Sequence, residues 1–203
     1  MDIKYITKQV FSNKMFLVGL LMFVTIFTVA VFANQVAPHP YDGIDTAQSL
    51  KPPQSQYLFG TDQYGRCIFS RVVHGSKIAL KVGLIVVVIE SVIGVLLGLL
   101  AGYYGGWLDK LIVFVTDLTW ALPPLIMALA IVTMLGPSLN NVVISIAVVS
   151  WAQFARVVRA KTQAIKNMPF IEAAKAFGEG DLSILSRYIL PNILSPIMVL
   201  ITL

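Results

Sequence analysis

The feature that most constrains this chain is a series of apolar segments, each long enough to cross a lipid bilayer. A helix needs about 20 predominantly apolar residues to span the hydrocarbon, within a range of roughly 17 to 25. The segments, with the start of a fifth, are residues 15–36, 82–104, 111–135, 139–155 and the run that begins near Pro191. Charged residues make up only 12% of the 203 residues, about half the fraction typical of a soluble domain. The sequence therefore predicts an all-α integral membrane protein with four complete spans and part of a fifth.

The distribution of charge argues against a nucleic-acid partner. The net charge is +5, but the basic residues lie mostly at the ends of apolar segments and form no patch with interleaved aromatics. The single cysteine, Cys67, excludes an internal disulfide and a cysteine-cluster metal site. His74 alone is expected to be an interfacial polar residue and not a metal ligand, because metal sites need several converging ligands. We therefore expect this chain to bind no metal and no cofactor.

The first apolar segment has some features of a cleavable secretory signal. Three lysines precede it, and Val31-Phe32-Ala33 resembles a cleavage site. The apolar core of a signal is usually about 7 to 15 residues long, and residues 15–36 exceed that length. We therefore interpret this segment as an uncleaved first span that follows a cytoplasmic segment, residues 1–14.

The asymmetry of Lys and Arg predicts the orientation of the spans. With the N-terminus in the cytoplasm, the basic residues on the cytoplasmic side are Lys4, Lys8, Lys14, Lys110, Arg156, Arg159, Lys161, Lys166, Lys175 and Arg187. Those on the other side are Lys51, Arg66, Arg71, Lys77 and Lys81. Because cytoplasmic loops carry the excess of positive charge, this orientation is favoured. It puts residues 37–81 on the extracytoplasmic side and the charged segment after residue 166 in the cytoplasm.

The predicted extracytoplasmic region, residues 37–81, has two parts. Residues 37–64 are rich in Pro, Gly, Gln and Asp without a helical period, which predicts an ordered loop. From Arg66 to Lys81 polar residues recur at helical spacing, a pattern typical of a helix that lies along the membrane surface. We therefore expect a separate interfacial helix before the second span.

The second span carries a stripe of glycines. Gly94, Gly98 and Gly102 recur every four residues, and Glu90 heads the same helix face. Glycine at this spacing lets two helix backbones approach closely in lipid, so this face is expected to pack against another helix. A charge near the bilayer centre costs at least about 2.5 kcal/mol, so Glu90 should face protein or water, or be protonated. The sequence leaves open whether Glu90 belongs to a translocation pathway or makes a structural hydrogen bond.

The third span combines a carboxylate with two prolines. Asp117 lies about two turns from one end of the span, where it can reach Lys110 or water, and we favour a structural role for it over a pathway role. Pro123 and Pro124 remove two backbone donors and predict a kink. Such a break can act as a hinge or accommodate neighbouring helices.

The charged segment after the fourth span predicts two short helices. The first begins near Pro169 and ends at Gly178 and Gly180, and the second is capped by Asp181. Glu172 lies in the first turn, where the helix dipole favours an anion. The two apolar stripes consist of Phe170, Ala174 and Phe177 in the first helix, and of Leu182, Leu185 and Ile189 in the second. Spacing alone leaves open whether the segment lies on lipid or docks on a protein.

Two groups of residues resemble a known family. The first, in the charged segment, consists of Glu172, Ala173, Ala174, Gly178, Tyr188, Ile189, Leu190 and Pro191. It resembles the cytoplasmic EAA loop of permease subunits in binding-protein-dependent ABC importers, although an aliphatic residue is more usual at Tyr188. The second group consists of Gly60, Thr61, Asp62, Gly65, Arg66, Ser70, Arg71, Gly75, Leu80 and Gly83. It is similar to the dipeptide, oligopeptide and nickel branch, with Cys67 where Asp is common and Lys77 where Arg is usual.

The resemblance implies a fold and an assembly. The fold would be the MetI-like transmembrane domain with six spans, of which residues 82–203 would contain spans two to five and an EAA loop at about 167–191. A helix over residues 188–203 extends only about 24 Å, so we expect the chain to be truncated within its fifth span. The implied partners are a second homologous permease, two ATP-binding subunits and an extracytoplasmic substrate-binding protein, in a bacterial or archaeal plasma membrane. The residues implied to couple to the ATPase are Glu172, Ala173, Ala174, Gly178, Asp181, Leu190 and Pro191.

The implied function is the import of di- or oligopeptides, with nickel or metal chelates as the alternative cargo. The chain has no Gly-x4-Gly-Lys-Ser/Thr loop, so ATP hydrolysis would belong to partner subunits. One rival class is an ion-coupled secondary transporter that uses Glu90 and Asp117. Another is a structural membrane subunit that packs through the glycine stripe. Neither rival needs a cytoplasmic docking helix pair, so the EAA loop favours the importer permease.

Overall fold

A computed structural model describes residues 13–202, and this part of the chain is predominantly helical, without a named β-strand. The helices are α1 (Lys14–Val31), α2 (Ala33–Val36), a short 3₁₀ helix (Thr46–Gln48), α3 (Ile68–Tyr104), α4 (Gly106–Trp120), α5 (Pro124–Leu135), α6 (Leu139–Ile165), α7 (Pro169–Ala176), α8 (Asp181–Asn192) and α9 (Leu194–Ile201). Within α8, Ile184–Ile189 form a π-helical stretch. Most of the predicted N-terminal segment, including Lys4 and Lys8, lies outside the described residues.

Three helices are long and apolar enough to cross a membrane on their own, namely α1, α3 and α6. Two bent pairs, α4 with α5 and α8 with α9, raise the number of candidate spans to 5 if each pair counts as one. By length and composition, these helices confirm the predicted all-α membrane class.

The third predicted span is broken where its two prolines lie. α4 ends at Trp120, α5 begins at Pro124, and the helices are bent by 86° at this point. Proline has no N–H group and its ring clashes with the preceding turn, so the helical hydrogen bonds cannot continue through Pro123. The predicted kink is therefore confirmed. A second bend, of 62°, separates α8 from α9.

The structure differs from the prediction of a separate interfacial helix over residues 66–81. Most of that segment is the first part of α3, which runs without interruption from Ile68 to Tyr104. The segment has no proline, and a glycine such as Gly75 or Gly83 costs only about 1 kcal/mol in a helix interior, which is too little to end a long helix. Two compact units make up the chain, residues 1–83 and 84–203, and their boundary falls inside α3.

In the first unit, the predicted ordered loop is organised around Asp62. Its carboxylate accepts hydrogen bonds from the backbone N–H groups of Tyr64 at 2.9 Å and Arg66 at 3.0 Å. It also pairs with the Arg66 Nε at 2.8 Å and the Arg71 Nη1 at 3.0 Å. Desolvation raises the pKa of the Asp62 carboxyl, but the hydrogen bonds from Arg66 and Tyr64 outweigh it and hold the pKa below its ordinary value. The two arginines thus have a carboxylate partner although Cys67 stands where Asp is common.

In the second unit, the glycine stripe of α3 lies directly against α6. A Cβ atom added to Gly98 would lie 2.7 Å from the Ala155 carbonyl oxygen, and one added to Gly102 would lie 2.8 Å from the Arg159 carbonyl oxygen. At Gly94 the same atom would lie 2.7 Å from the Trp151 carbonyl oxygen. Real Cβ atoms do not approach backbone this closely, so only glycine permits this contact between the two helices.

Replacement of Gly98 by Leu should destabilise the second unit. Its side chain would meet the backbone of α6, which cannot move aside, so we expect a loss of about 1 to 3 kcal/mol, in the range of overpacked cores. The matched control is Gly83→Leu, in the same helix, where an added Cβ meets nothing within 4 Å. Thermal unfolding of the purified protein in detergent measures both. Equal melting temperatures for the two variants would contradict the packing of α3 on α6.

The Asp62 loop should loosen in acid. Because the folded pKa of Asp62 is below the unfolded value of about 3.9, its ionised carboxylate stabilises the loop above about pH 4, and this contribution disappears as the pH falls through the folded pKa. Hydrogen exchange of the Tyr64 and Arg66 amides, corrected for intrinsic rates, should therefore accelerate in acid. Asp62→Asn should already exchange faster at pH 7, whereas Asp42→Asn, an exposed control, should not. Identical exchange in wild type and Asp62→Asn at pH 7 would contradict this account.

Candidate functional site

The EAA loop, residues 167–191, forms two helices joined by a tight turn. α7 begins at Pro169, which suits the first helical position because its missing N–H would have had no partner there. The helix ends before Gly178, whose φ of +80° is a left-handed conformation that favours glycine. The N–H of Gly178 donates to the Lys175 carbonyl at 2.9 Å, and that of Glu179 to the Ala174 carbonyl at 3.1 Å. These contacts close the first helix and direct the chain into α8.

The buried face of α7 differs from the predicted stripe. Ile171 and Ala174 are buried, whereas Phe170 is 39% exposed and Phe177 is 89% exposed. Of the three predicted stripe residues, only Ala174 therefore faces the protein interior. The helix has only eight residues, so its buried face is decided by packing on α3 and α6 more than by its own apolar spacing. Ile171 is the residue that joins the apolar cluster there.

The inner face of the EAA loop packs on the ends of α3 and α6. Its buried residues join one apolar cluster with Leu99 of α3 and Val158 of α6. The members contributed by α7, α8, α9 and the break between α8 and α9 are Ile171, Ala174, Ile184, Leu185, Ile189, Ile193 and Ile197. Because this cluster is continuous, the EAA loop is packed against α3 and α6, two candidate membrane-spanning helices.

α8 also differs from its predicted pattern. Asp181 is the first residue of the helix and not its N-cap, a position that belongs to Gly180. The Asp181 carboxylate instead accepts a hydrogen bond from the Tyr103 hydroxyl at 2.7 Å. Of the three residues of its predicted apolar stripe, Leu182 is 80% exposed, whereas Leu185 and Ile189 are buried. A π-helical stretch begins at residue 184 and widens the turn, so the apolar residues on its two sides do not share one regular stripe.

The predicted coupling residues divide between two faces of the loop. Glu172, Ala173, Gly178, Asp181 and Pro191 are exposed, Leu190 is half-buried and Ala174 is buried. We use the term outer face for the exposed residues Glu172, Ala173, Phe177, Gly178 and Leu182. The sequence assigned Phe177 and Leu182 to apolar stripes and left open whether these stripes face lipid or a protein, and the structure shows both side chains exposed.

Asp117 lies in a contact between α4 and α6. It forms an ion pair with Arg156 and not with Lys110, the partner suggested by sequence proximity. The Arg156 guanidinium lies over the Trp120 ring, 4.7 Å from its centroid. A parallel ion pair joins Asp109 to Arg159, with an Nη2 to Oδ2 distance of 2.7 Å. Two carboxylates on α4 thus meet two arginines on α6.

Sequence reasoning missed the two ion pairs as a group, Asp109 with Arg159 and Asp117 with Arg156. The signal was present, because Arg156 and Arg159 are three residues apart and lie on one side of a helix. Their pairing with α4 joins residues about 40 to 50 positions apart, which local spacing does not predict.

Glu90 lies elsewhere, on the α3 face that carries the glycine stripe. It is buried, with 9% of its surface exposed. Ser150 of α6 lies next to its carboxyl group. The two intramembrane carboxylates singled out from the sequence therefore belong to different helix contacts, Glu90 to α3 with α6 and Asp117 to α4 with α6.

Two family models match the sequence. Residues 94–203, more than half of the chain, match the binding-protein-dependent transport system inner membrane component. Residues 3–53 match the N-terminal TM domain of oligopeptide transport permease C. The first match includes the glycine stripe, the bent span and the EAA loop.

Curated relatives match over nearly the whole chain. The dipeptide transport system permease protein DppC of Alkalihalophilus pseudofirmus is 41% identical over 97% of this chain and 64% of its own length. The glutathione transport system permease protein GsiD of Escherichia coli O6:K15:H31, and that of Shigella boydii, are each 42% identical over 90% of this chain and 61% of their own length. The chain thus spans somewhat less than two thirds of these relatives. On these matches, together with the all-α membrane fold, the chain belongs to the family of inner-membrane permease components of binding-protein-dependent transport systems.

Proposed function

We propose that this chain is a permease subunit of an ATP-driven importer, that it contributes to the translocation path for di- or oligopeptides, and that it docks on ATP-binding subunits through the EAA loop. The observation that carries the proposal is the two-sided construction of that loop. Its inner face is packed on α3 and α6, and Glu172, Phe177 and Leu182 are exposed on the same loop. Large apolar side chains at 89% and 80% exposure on a charged loop are typical of a surface that a partner covers.

The proposed assembly has four kinds of subunit. This chain pairs with a second homologous permease, two ATP-binding subunits bind on the cytoplasmic side, and a substrate-binding protein delivers cargo from the other side. The excess of Lys and Arg on one side supports a cytoplasmic EAA loop and a cytoplasmic N-terminus. Closure of the ATP-binding subunits displaces the EAA loop, and the helices joined to it alternate the access of the path. The chain itself needs no cofactor for this role, and the chemistry of ATP belongs to its partners.

Peptides are the proposed cargo because the matched relatives are named for dipeptide and glutathione transport. Nickel or a metal chelate is the alternative within the same family. An ion-coupled transporter would need carboxylates free to exchange protons or ions. Asp117 is paired with Arg156 and Glu90 is buried beside Ser150, so we assign both a structural role.

Charge reversal at Glu172 should uncouple ATP hydrolysis from transport. Glu172→Lys puts a cation in the first turn of α7, where the helix dipole disfavours it, and alters the outer face without touching the buried cluster. We expect ATP-dependent uptake in proteoliposomes to fall at least about tenfold, as for the loss of one interface contact. Gly178→Leu should act in the same way, because it forces a branched side chain into a left-handed conformation. Both variants should still insert into the membrane.

The control for these variants is Asp42→Lys, a charge reversal in the first unit at an exposed residue. It should leave the co-purification of the ATP-binding subunits unchanged, whereas Glu172→Lys should weaken it. Undiminished co-purification and uptake with both EAA-loop variants would overturn the docking proposal.

The cargo can be assigned by uptake into proteoliposomes that contain the complete complex and its binding protein. Radiolabelled dialanine and glutathione test the peptide assignment, and nickel ions test the alternative. We expect ATP-dependent accumulation of at least one peptide and none of nickel. Accumulation of nickel without either peptide would replace the peptide assignment with the metal one.

A further inference from the structure

Tyr103, near the end of α3, contacts both helices of the EAA loop. Its hydroxyl donates a hydrogen bond to the Asp181 Oδ1 at 2.7 Å, in the first turn of α8. The Lys175 Nζ of α7 lies 5.4 Å from the centroid of the Tyr103 ring. The ring is half-buried and packs against the apolar cluster that holds the inner face of the loop. One side chain of α3 therefore meets α7, α8 and the apolar cluster.

The hydrogen bond differs in kind from the rest of the contact between the loop and α3. Apart from Lys175 over the Tyr103 ring, the contacts described here are apolar, such as those of Leu99 with the buried cluster. Apolar contact is non-directional, so it opposes separation more strongly than sliding. A hydrogen bond to a carboxylate is directional and stronger than a neutral one. The Tyr103 hydroxyl donates this bond to Asp181 at 2.7 Å, and the hydroxyl of the neighbouring Tyr104 also lies close to the same carboxylate.

We propose that Tyr103 is a positioning residue that makes α3 follow the displacement of the EAA loop during transport. This inference rests on the proposed function, because it takes the loop as the element that the ATP-binding subunits displace. Asp181, one of the predicted coupling residues, then has a second role, because its carboxylate also binds α3 through Tyr103. α3 is in turn fixed to α6 through Gly98 and Gly102. A displacement of the EAA loop that Tyr103 transmits to α3 therefore also reaches α6.

The decisive variant is Tyr103→Phe, which removes the hydroxyl and keeps the ring against Lys175 and the apolar cluster. In the reconstituted complex, we expect the ATP-binding subunits to co-purify as with wild type and to hydrolyse ATP. The amount of dialanine taken up per ATP hydrolysed should fall about tenfold, consistent with the loss of one hydrogen bond to a charged group. Asp181→Ala should reproduce this loss, and the double variant should be no worse than either single variant.

Two control variants separate this role from general stability. Tyr188→Phe removes a hydroxyl from a tyrosine that packs against the same cluster, and within residues 13–202 it removes no hydrogen bond. It should transport as wild type. Asp181→Asn keeps an acceptor oxygen for Tyr103 and should recover most of the coupling that Asp181→Ala loses. A merely structural contribution of Tyr103 would instead lower the amount of assembled complex and not the ratio of uptake to hydrolysis.

A distance measurement tests the same claim without a cargo. Spin labels at Leu96→Cys on α3 and Arg187→Cys on the loop, in a Cys67→Ser background, report whether the two move together. Both positions are exposed, and Arg187 is not part of the outer face. In wild type the distance should be the same in the nucleotide-free and vanadate-trapped complexes, whereas Tyr103→Phe should shift or broaden it after trapping.

Three outcomes would overturn the inference. Tyr103→Phe could couple as wild type, it could lose the ATP-binding subunits, or the wild-type distance could itself change on trapping. Failure of the proposed function has a different signature, since the wild-type chain would then not retain ATP-binding subunits at all, and the inference would fall with it.

Discussion

The close approach of α3 and α6 is the contact on which the rest of the second unit depends. In lipid, apolar side chains gain little from contact with each other, so helices associate mainly where their backbones can come close. Gly98 and Gly102 provide that approach, because any side chain would collide with the carbonyl groups of Ala155 and Arg159. The inner face of the EAA loop packs on the ends of the same two helices. The position of the candidate functional site thus follows from two glycines.

Charge pairs complete the arrangement around α6. Asp117 and Arg156 would each be costly as isolated ions in a membrane, and pairing reduces that cost. The Asp109–Arg159 pair lies nearer the start of α4, so α4 is tied to α6 at two levels. Beyond these pairs the chain turns sharply before Pro124. α6 therefore contacts α3 through glycine and α4 through ion pairs, and it joins the elements of the second unit.

Features set by local physics were predictable from the sequence, and features set by distant partners were not. Apolar length predicted the spans, Pro123 and Pro124 predicted the break, and Gly178 predicted the end of α7. The burial of Ile171 in place of Phe170 could not be predicted, because it depends on the cluster beneath α7. Asp181 has the side chain of an N-cap, but Tyr103, 78 residues earlier, takes its carboxylate. The separate interfacial helix was a wrong prediction for a related reason, since one polar stripe fits a surface helix and the first turns of a longer one equally well.

We propose that the EAA loop presents Phe177 to an ATP-binding subunit while its buried residues stay packed on α3 and α6. Photo-cross-linking from an unnatural amino acid at position 177 in the assembled complex tests it most directly. Leu125 provides a matched position, since it is 81% exposed but lies on α5. We expect a cross-link from position 177 to an ATP-binding subunit and none to that subunit from position 125. Cross-linking of position 177 to lipid alone would contradict it, because the loop would then be an amphipathic connector on the membrane surface.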